Sequence, residues 1–575
     1  MQRVILRIFA ALNKSLSPSM RKEYVNTSLH VLLLSIVCVF TFFVNNQTIY
    51  PDIMESRNIV TAREMVYDGH WMIPTMDGEL RLEKPPLPTW IAAGIEKVLP
   101  DNIGAQRAMA GLAASMLVFF FYLFGRRLTE SEDFAWISSL VLCTSYSVVL
   151  MGRTATWDIY CHAFMMGAIY FIYRTFKDRQ HTWRSATMAG LFLGLSFMSK
   201  GPISFYGLLL PFLILFLTME GPMQKHRMGH LLLIIGLCLA ISSWWYIYIY
   251  VFHSEVTRSV IHKESSAWMG HNVRPWYYYW SFFLETGVWS LMMITALLFP
   301  VWMKKMRGQR EYLFVLLWIA LQLVLLSLMP EKKKRYLLPM LIPCSYLIGM
   351  VLTYWKEQLH RHADHLTTVL FDVNTYALSF VCLALPVAGY FFLCRPGYLP
   401  MNTFLLISIL LICISGWLLV TSWHKEPFFF VYGIVALFFV AEIWAMPYIG
   451  DLANNTEMKS IRRTRDIKEL DGLPFYYVKG QEMRIEIIYE THRKILPLDV
   501  NNVDSVRKAM PFVLVTHDRA EKILPPSVKK RCSLKWIDCY DDNRRPKGTS
   551  MYKELFIYNV TIVKPKAAAP KQGYI

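Results

Sequence analysis

Charge is scarce in this chain. Only 18% of its 575 residues are Asp, Glu, Lys or Arg, against about 25% in soluble domains. Acids are the scarcer sign: 42 carboxylates face 60 basic residues, for a net charge of +18. That composition excludes a disordered chain and an ordinary cytosolic enzyme. Ligand spacing such as C-x-x-C is absent, although there are ten cysteines, and most stand alone inside apolar runs, as Cys38, Cys143 and Cys344 do. A cysteine-based metal site is therefore not indicated. Cys532 and Cys539 lie together in a polar tail. They are read as free thiols, with pairing reserved for a tail outside the cytoplasm. No convincing internal repeat is found, which counts against a repeat-built transporter.

Apolar residues are abundant. The hydrophobic class makes up 54% of the chain and aromatics 15%. One soluble core of this length cannot bury that much apolar surface, so the excess predicts many membrane spans of about 20 residues each. We read thirteen, near 30–48, 106–125, 133–151, 157–174, 184–199, 202–219, 229–251, 286–303, 312–329, 335–354, 375–394, 402–422 and 427–447. Ahead of them Met1–Thr27 is basic, and Val4–Leu12 within it is amphipathic and suited to the cytoplasmic interface. It lacks the small-residue cleavage site of a secretory signal. The +18 charge then reads as cytoplasmic anchoring and contact with anionic lipid, not as a nucleic-acid surface.

Sidedness follows from the basic residues. With the N-terminus inside, the even-to-odd connections are cytoplasmic, and they hold Arg126–Arg127, Arg174–Arg184, Lys225–Arg227, Lys304–Arg310, Lys356–Arg361 and Lys425. Thirteen spans leave the C-terminus outside. The exceptions fall on the outer side: Arg57, Arg63, Lys84, Arg153, Lys200, Arg258, Arg274 and the run Lys332–Arg335. Some of these are headgroup anchors. A set that converges on one anionic ligand is the sharper expectation, and phosphate suits Lys as a point charge and Arg as a fork.

The first outer connection, 49–105, is too long for a turn. It predicts a helix over Glu55–Tyr67, turn and strand character over Trp71–Leu82, the charged turn Glu83-Lys84-Pro85-Pro86, and a second helix over Leu87–Val98. We group this loop with a membrane domain spanning 1–447. Residues 448–575 turn polar and alternate. Strands are expected at Pro474–Val478, Lys494–Leu496, Pro511–Thr516, Leu534–Asp538 and Leu555–Val563. Helices are expected at Met483–Thr491, Val503–Lys508 and Arg519–Leu524, giving a small α/β domain. It carries no Gly-rich phosphate loop and no nucleophile elbow.

Taken in order, several motifs form a pattern. Glu55-Ser-Arg57-Asn-Ile-Val-Thr-Ala-Arg63-Glu64-Met65 and Glu83-Lys84-Pro85-Pro86 are followed by Arg153-x4-Asp158, Lys200-Gly201-Pro202, His253-x4-Arg258, Pro275-Trp276-Tyr277-Tyr278-Tyr279 and Arg335-Tyr336-Leu337-Leu338-Pro339. This series resembles the polyprenyl-phosphate-dependent glycosyltransferases of the GT-C fold. The branch it resembles holds the lipid A aminoarabinose transferase and bacterial relatives of protein O-mannosyltransferases. The resemblance covers roughly the first 355 residues. One departure stands out: the family's Asp-Glu pair is Met54-Glu55 here.

The resemblance implies a polytopic helical membrane enzyme with a C-terminal extracytoplasmic α/β domain. It would transfer a sugar, with inversion, from a polyprenyl-phosphate donor to a glycolipid or a protein. On that basis Glu55, Asp52 and Asp158 are the candidate catalytic carboxylates, with Arg153 holding Asp158. Lys84, Arg57, Arg258, Tyr336, Lys200 and Arg335 are candidates for the donor phosphate, whose leaving charge needs cations placed in advance. No cofactor is required, although the resemblance permits a divalent ion on Glu83 and His253. For several residues a plainer role competes: a helix-dipole charge for Glu55, an anchor for Lys84, an interfacial aromatic for Tyr336. A lipid or solute transporter is the rival function. It would put ionisable residues at the bilayer midplane, whereas here they gather at span ends on one side.

Overall fold

The computed structural model describes residues 18–220, 227–270, 272–306, 308–360, 364–448, 455, 457–550 and 552–566. The amphipathic stretch Val4–Leu12 lies outside the described residues. By contact the chain divides into two units. One comprises Met1–Gln47, Glu83–Pro88 and Ile103–Pro447; the other comprises Thr48–Leu82, Thr89–Asn102 and Tyr448–Ile575. The outer loop, grouped from sequence with the membrane domain, thus falls mostly in the same unit as the tail.

The first unit is helical. Each apolar segment read from the sequence overlaps helix, although 30–48 leaves its helix at Phe42 and 133–151 and 286–303 are each broken into two. Among the described residues seven helices are long and apolar enough to cross a membrane, or up to nine if each bent pair is one span. The bent pairs are Glu132–Cys143 with Tyr146–Gly152, turned by 66°, and Trp276–Ala296 with Phe299–Lys305, turned by 67°. In an apolar medium helices gain little from burying more hydrocarbon, so they associate through close packing at small residues. Gly194 of helix Thr182–Lys200 shows this: a Cβ there would meet Ile241 Cβ at 2.6 Å. Gly349 shows it again, as a Cβ would lie 2.9 Å from Ser138 Cβ on the neighbouring helix.

In the second unit, helix Ile53–Tyr67 starts at a capping box. Asp52 Oδ1 accepts from the amides of Met54 and Glu55 at 2.9 and 2.8 Å, and Glu55 Oε2 accepts from the Asp52 amide at 3.4 Å. Two orphan groups of the helix end are thereby satisfied. Strands β1 (Thr75–Met76) and β2 (Glu79–Leu80) form a hairpin. Helix Leu87–Val98 follows, as read from the sequence.

The tail forms a five-stranded sheet of β3 (Phe475–Val478), β4 (Ile495–Leu498), β5 (Phe512–Thr516), β6 (Cys532–Asp541) and β7 (Ile557–Pro565), in the order β4-β3-β5-β7-β6. β3 runs parallel to β4 and β5; β7 runs antiparallel to β5 and β6. The central β5 is buried at every position, as its unbroken apolar run requires. Phe512, Leu514 and Val563 pack into a core with Val506, Leu524 and Val528 from the connecting helices. Cys532 and Cys539 are free thiols. Seven positions apart on one strand, they are separated by about 23 Å, far beyond disulfide reach.

Half-buried ion pairs tie the loop segments to the tail within this unit. Asp101 accepts from Arg63 and Arg465, each at 2.5 Å, and Arg63 also donates to the Tyr489 carbonyl at 2.9 Å. Burial alone would raise the Asp101 carboxyl, but the His492 hydrogen bond and the charges of Arg465 and Arg63 hold it well below the usual range. At the hairpin tip Asp77 Oδ1 accepts from the Ile495 amide at 3.0 Å, covering part of the free edge of β4.

Candidate active site

Two helix ends build the centre of the first unit's charged cluster. Helices Trp157–Lys177 and Thr182–Lys200 pack against each other, joined by a short connection. Antiparallel neighbours put the start of one beside the end of the other. Asp158 sits in the first turn of the earlier helix, where the dipole favours an anion, and Lys200 is the last residue of the later one, where it favours a cation. Gly201 ends that helix at φ +77°, a conformation open to glycine. Lys200 Nζ donates to Asp158 Oδ1, with side chains 5% and 1% exposed. Asp158 Oδ2 is buried without a hydrogen-bond partner, and so is Nδ1 of the buried His162 one turn further on.

The pair continues into the segment that precedes helix Leu341–Gln358. Lys200 Nζ lies 5.6 Å from the centre of the Tyr336 ring, a cation–π distance. Tyr336 donates its hydroxyl proton to Glu331 Oε2 at 3.2 Å, and Lys333 Nζ pairs with Glu331 Oε1 at 2.6 Å. Arg335 is close enough to act on the charge of Asp158. Tyr279, from the Trp276–Trp289 segment, takes the Lys333 amide at 3.0 Å and fixes this stretch of backbone. Lys200, Lys333 and Arg335 thus outnumber Asp158 and Glu331 around one aromatic side chain. Such an arrangement can accept an anion and stabilise charge growing on it.

Asp158, Lys200, Arg335 and Tyr336 are therefore brought together. Arg258 is exposed on helix Ser254–Gly270 and donates to the Tyr250 hydroxyl at 3.2 Å. Lys84 is half-buried in the Glu83–Pro88 segment of the same unit. Arg153 corrects the sequence reading. It does not hold Asp158; its guanidinium pairs with Glu442 at 2.9 Å and donates to the carbonyls of Thr41 and Val44, both at 2.8 Å. The carbonyls at the end of helix Pro18–Phe42 and the Glu442 carboxylate take its donors, while Asp158 is taken by Lys200. Asp52, Glu55 and Arg57 belong to the second unit, where Asp52 and Glu55 form the capping box.

Among the described residues the one group of three or more metal-ligand side chains is Glu64, Asp68 and His70. Glu83 and His253 are not in it. The Glu64 carboxylate is already occupied by the Thr75 hydroxyl at 2.6 Å and the Asp77 amide at 2.5 Å. Sequence reasoning missed Glu331 and Glu442. Glu331 directly precedes the Lys332–Arg335 run, a spacing that could have marked it. Nothing local ties Glu442 to Arg153.

The chain is similar to several known proteins. A family model described as dolichyl-phosphate-mannose-protein mannosyltransferase matches residues 83–246. An undecaprenyl phosphate-α-4-amino-4-deoxy-L-arabinose arabinosyl transferase of Pseudomonas fluorescens is 26% identical over 415 residues, 70% of this chain and 67% of that one. A transferase of the same description from Pseudomonas savastanoi pv. phaseolicola is 25% identical over 412 residues, 70% and 71% of the two chains. The crystal structure of ArnT from Cupriavidus metallidurans bound to undecaprenyl phosphate superposes with a TM-score of 0.65 at 14% identity, over 94% of this chain and 99% of that one. The fold is that of the GT-C membrane glycosyltransferases. Within that fold class the chain is similar to these relatives, whose names describe transferases that use undecaprenyl phosphate-linked 4-amino-4-deoxy-L-arabinose.

Proposed function

We propose that this chain moves a sugar from a polyprenyl-phosphate donor to a lipid A-like glycolipid at the extracytoplasmic face of the inner membrane. The observation that carries the reading is the likeness, over 70% of the chain, to transferases named for such a donor. The cation-rich string around Tyr336 supports it. Thirteen spans, a cytoplasmic N-terminus and an outer C-terminal domain make up the topology we propose, supported by the basic residues of the inner connections.

The acceptor oxygen attacks the anomeric carbon on the face opposite the phosphate. The bond from that carbon to the phosphate oxygen breaks, and polyprenyl phosphate leaves with the electron pair, so the anomeric centre inverts. Lys84, Arg258 and Arg335 meet the growing charge on the leaving phosphate. Tyr336, whose hydroxyl proton rests on Glu331 in the free chain, turns that proton to the phosphate when the donor binds. Lys200 adds its field while Asp158 holds it in place, so Asp158 is a positioning residue. A phosphate acceptor is already ionised and needs no base. A hydroxyl acceptor would pass its proton to a carboxylate, for which Glu55 and Asp52 are the candidates. The donor carries its own leaving group, so no cofactor is needed. Glu83 and His253 alone supply too few ligands to hold a divalent ion.

The test is transfer by the purified chain in lipid nanodiscs, with a radiolabelled undecaprenyl-phosphate sugar offered to lipid A and to a peptide pool. Label in lipid A with an inverted anomer is expected. Label in peptide alone, or in neither, overturns the reading. Lys84→Ala with Arg258→Ala should lower kcat by about 100-fold.

A further inference from the structure

The second unit encloses a cavity of about 200 Å³. Three stretches wall it: the start of helix Ile53–Tyr67, the β1–β2 hairpin, and the tail around β3 and the residues that follow it. Its polar lining is Arg57, Asp77, Glu79, Tyr477, Glu482 and Arg484, over a floor of Ile and Met side chains. Drug-sized sites run to about 300–1,000 Å³, so this one suits a single ring.

Arg57 is the unusual member. Among the described residues its guanidinium makes no ion pair and no hydrogen bond, and its Nε is buried without an acceptor. A buried donor left unmatched is costly, and a guanidinium is shaped for a phosphate or carboxylate. Arg484 differs: it pairs with Glu486 at 2.7 Å and Glu482 at 3.7 Å, yet its Nε is likewise buried without an acceptor. Around these donors stand an aromatic ring, Tyr477, and three carboxyls, Asp77, Glu79 and Glu482, the last of them paired with Arg484. Burial pushes the Asp77 carboxyl up to about 7, so near neutral pH it both donates and accepts. A free cation, mixed donors and acceptors, an aromatic ring and an apolar floor together match an anionic sugar.

We infer that this cavity binds a phosphorylated monosaccharide group, with Arg57 on its phosphate and Asp77, Glu79 and Tyr477 about the ring. The source of that group rests on the function proposed above, where donor and acceptor both present sugar phosphates. No apolar span lines the cavity, so it suits a headgroup rather than a polyprenyl chain. We assign it to the acceptor.

Calorimetry of the full chain in nanodiscs tests this with glucosamine 1-phosphate as the probe, against glucosamine and inorganic phosphate. The sugar phosphate should bind at least about tenfold tighter than either fragment. Arg57→Ala should weaken it by about tenfold or more, with partial recovery in Arg57→Lys. Glu79→Gln, at an exposed position that carries no folding risk, should weaken it about threefold. In transfer assays Arg57→Ala should raise the acceptor KM about tenfold and leave the donor KM in place. A raised donor KM with an unchanged acceptor KM overturns the acceptor assignment. Failure of the wild-type chain to bind the sugar phosphate overturns the inference, whatever the transfer assay gives. Arg57-dependent binding without transfer would uphold the cavity and count against the preceding reading alone.

Discussion

Lys200, the final residue of helix Thr182–Lys200, is ion-paired with Asp158 in the first turn of helix Trp157–Lys177, and both side chains are almost fully buried. Removing one member leaves the other as an uncompensated buried charge, at a cost of about 3–5 kcal/mol. Asp158→Asn and Lys200→Met should each lower the thermal midpoint of the purified protein. The double variant should melt above the sum of the two losses, because the charges disappear together. Additive losses would show that the two residues act independently.

Arg153 and Glu442 give a contrasting case. Glu442→Gln removes one partner of Arg153 and leaves the carbonyls of Thr41 and Val44 in place. We expect a loss of about 1–2 kcal/mol, and about 3 kcal/mol or more for Arg153→Met, which strips all three acceptors of their donor. Chemical denaturation in mixed micelles ranks the two; equal losses would contradict the arrangement.

Ser138 and Gly349 face each other across helices Glu132–Cys143 and Leu341–Gln358 so closely that a Cβ on Gly349 would overlap the serine side chain. Gly349→Ala should destabilise by about 1–3 kcal/mol. Ser138→Gly in the same chain should restore most of it. Absence of rescue would place the strain elsewhere.

The Asp77 carboxyl gives a pH dependence with a defined sign. Burial raises it from 3.8 to about 7, against the opposing hydrogen bond from the Ile495 amide. The folded protein therefore holds this proton more tightly than the unfolded chain. Its contribution to stability is full below about pH 4 and is lost as pH rises through about 7. Between pH 5 and pH 8 the loss is about 3 kcal/mol. Melting curves of the wild-type chain should fall over that range more than those of Asp77→Asn. Parallel curves would remove Asp77 as the cause.

The capping box predicts a graded series. Asp52→Ala should cost about 1 kcal/mol, and Asp52→Ser should recover most of it, since serine caps equally well. Hydrogen exchange at the amides of Met54 and Glu55 reads the effect directly.

Much of this fold was legible because the governing patterns are local. Helix Leu87–Val98 carries its apolar spacing within its own residues. β5 is an unbroken apolar run between polar turns, and its edges were read to within one residue. β4 was read short, as Lys494–Leu496, because Pro497 looks like a terminator. At a sheet edge a proline is tolerated, and the strand extends to Leu498. β6 was read short for another reason: a bulge between Trp536 and Asp538 breaks its alternation.

The site was less legible because its partners come from far along the chain. The sequence shows that Asp158 needs a cation, and the nearest one along the chain is Arg153. The actual partner, Lys200, is fixed by the antiparallel packing of two helices, which the sequence does not state. Glu331 lies beside its partners yet escaped notice, since the cations around it dominated the pattern. The joining of Asp101 to Arg465 depends on a pairing of remote segments that has no periodicity to read.

That remote pairing bears on how the protein is made. Arg63 and Asp101 leave the ribosome well before Arg465 and Tyr489, which complete their surroundings. At about 5–20 residues per second the interval is tens of seconds. Throughout it, the early loop holds its Arg63–Asp101 pair without the tail groups that complete its surroundings. A nascent chain halted ahead of residue 448 would present that unfinished loop to proteases and chaperones, so quality control is expected to sense whether translation reached the end.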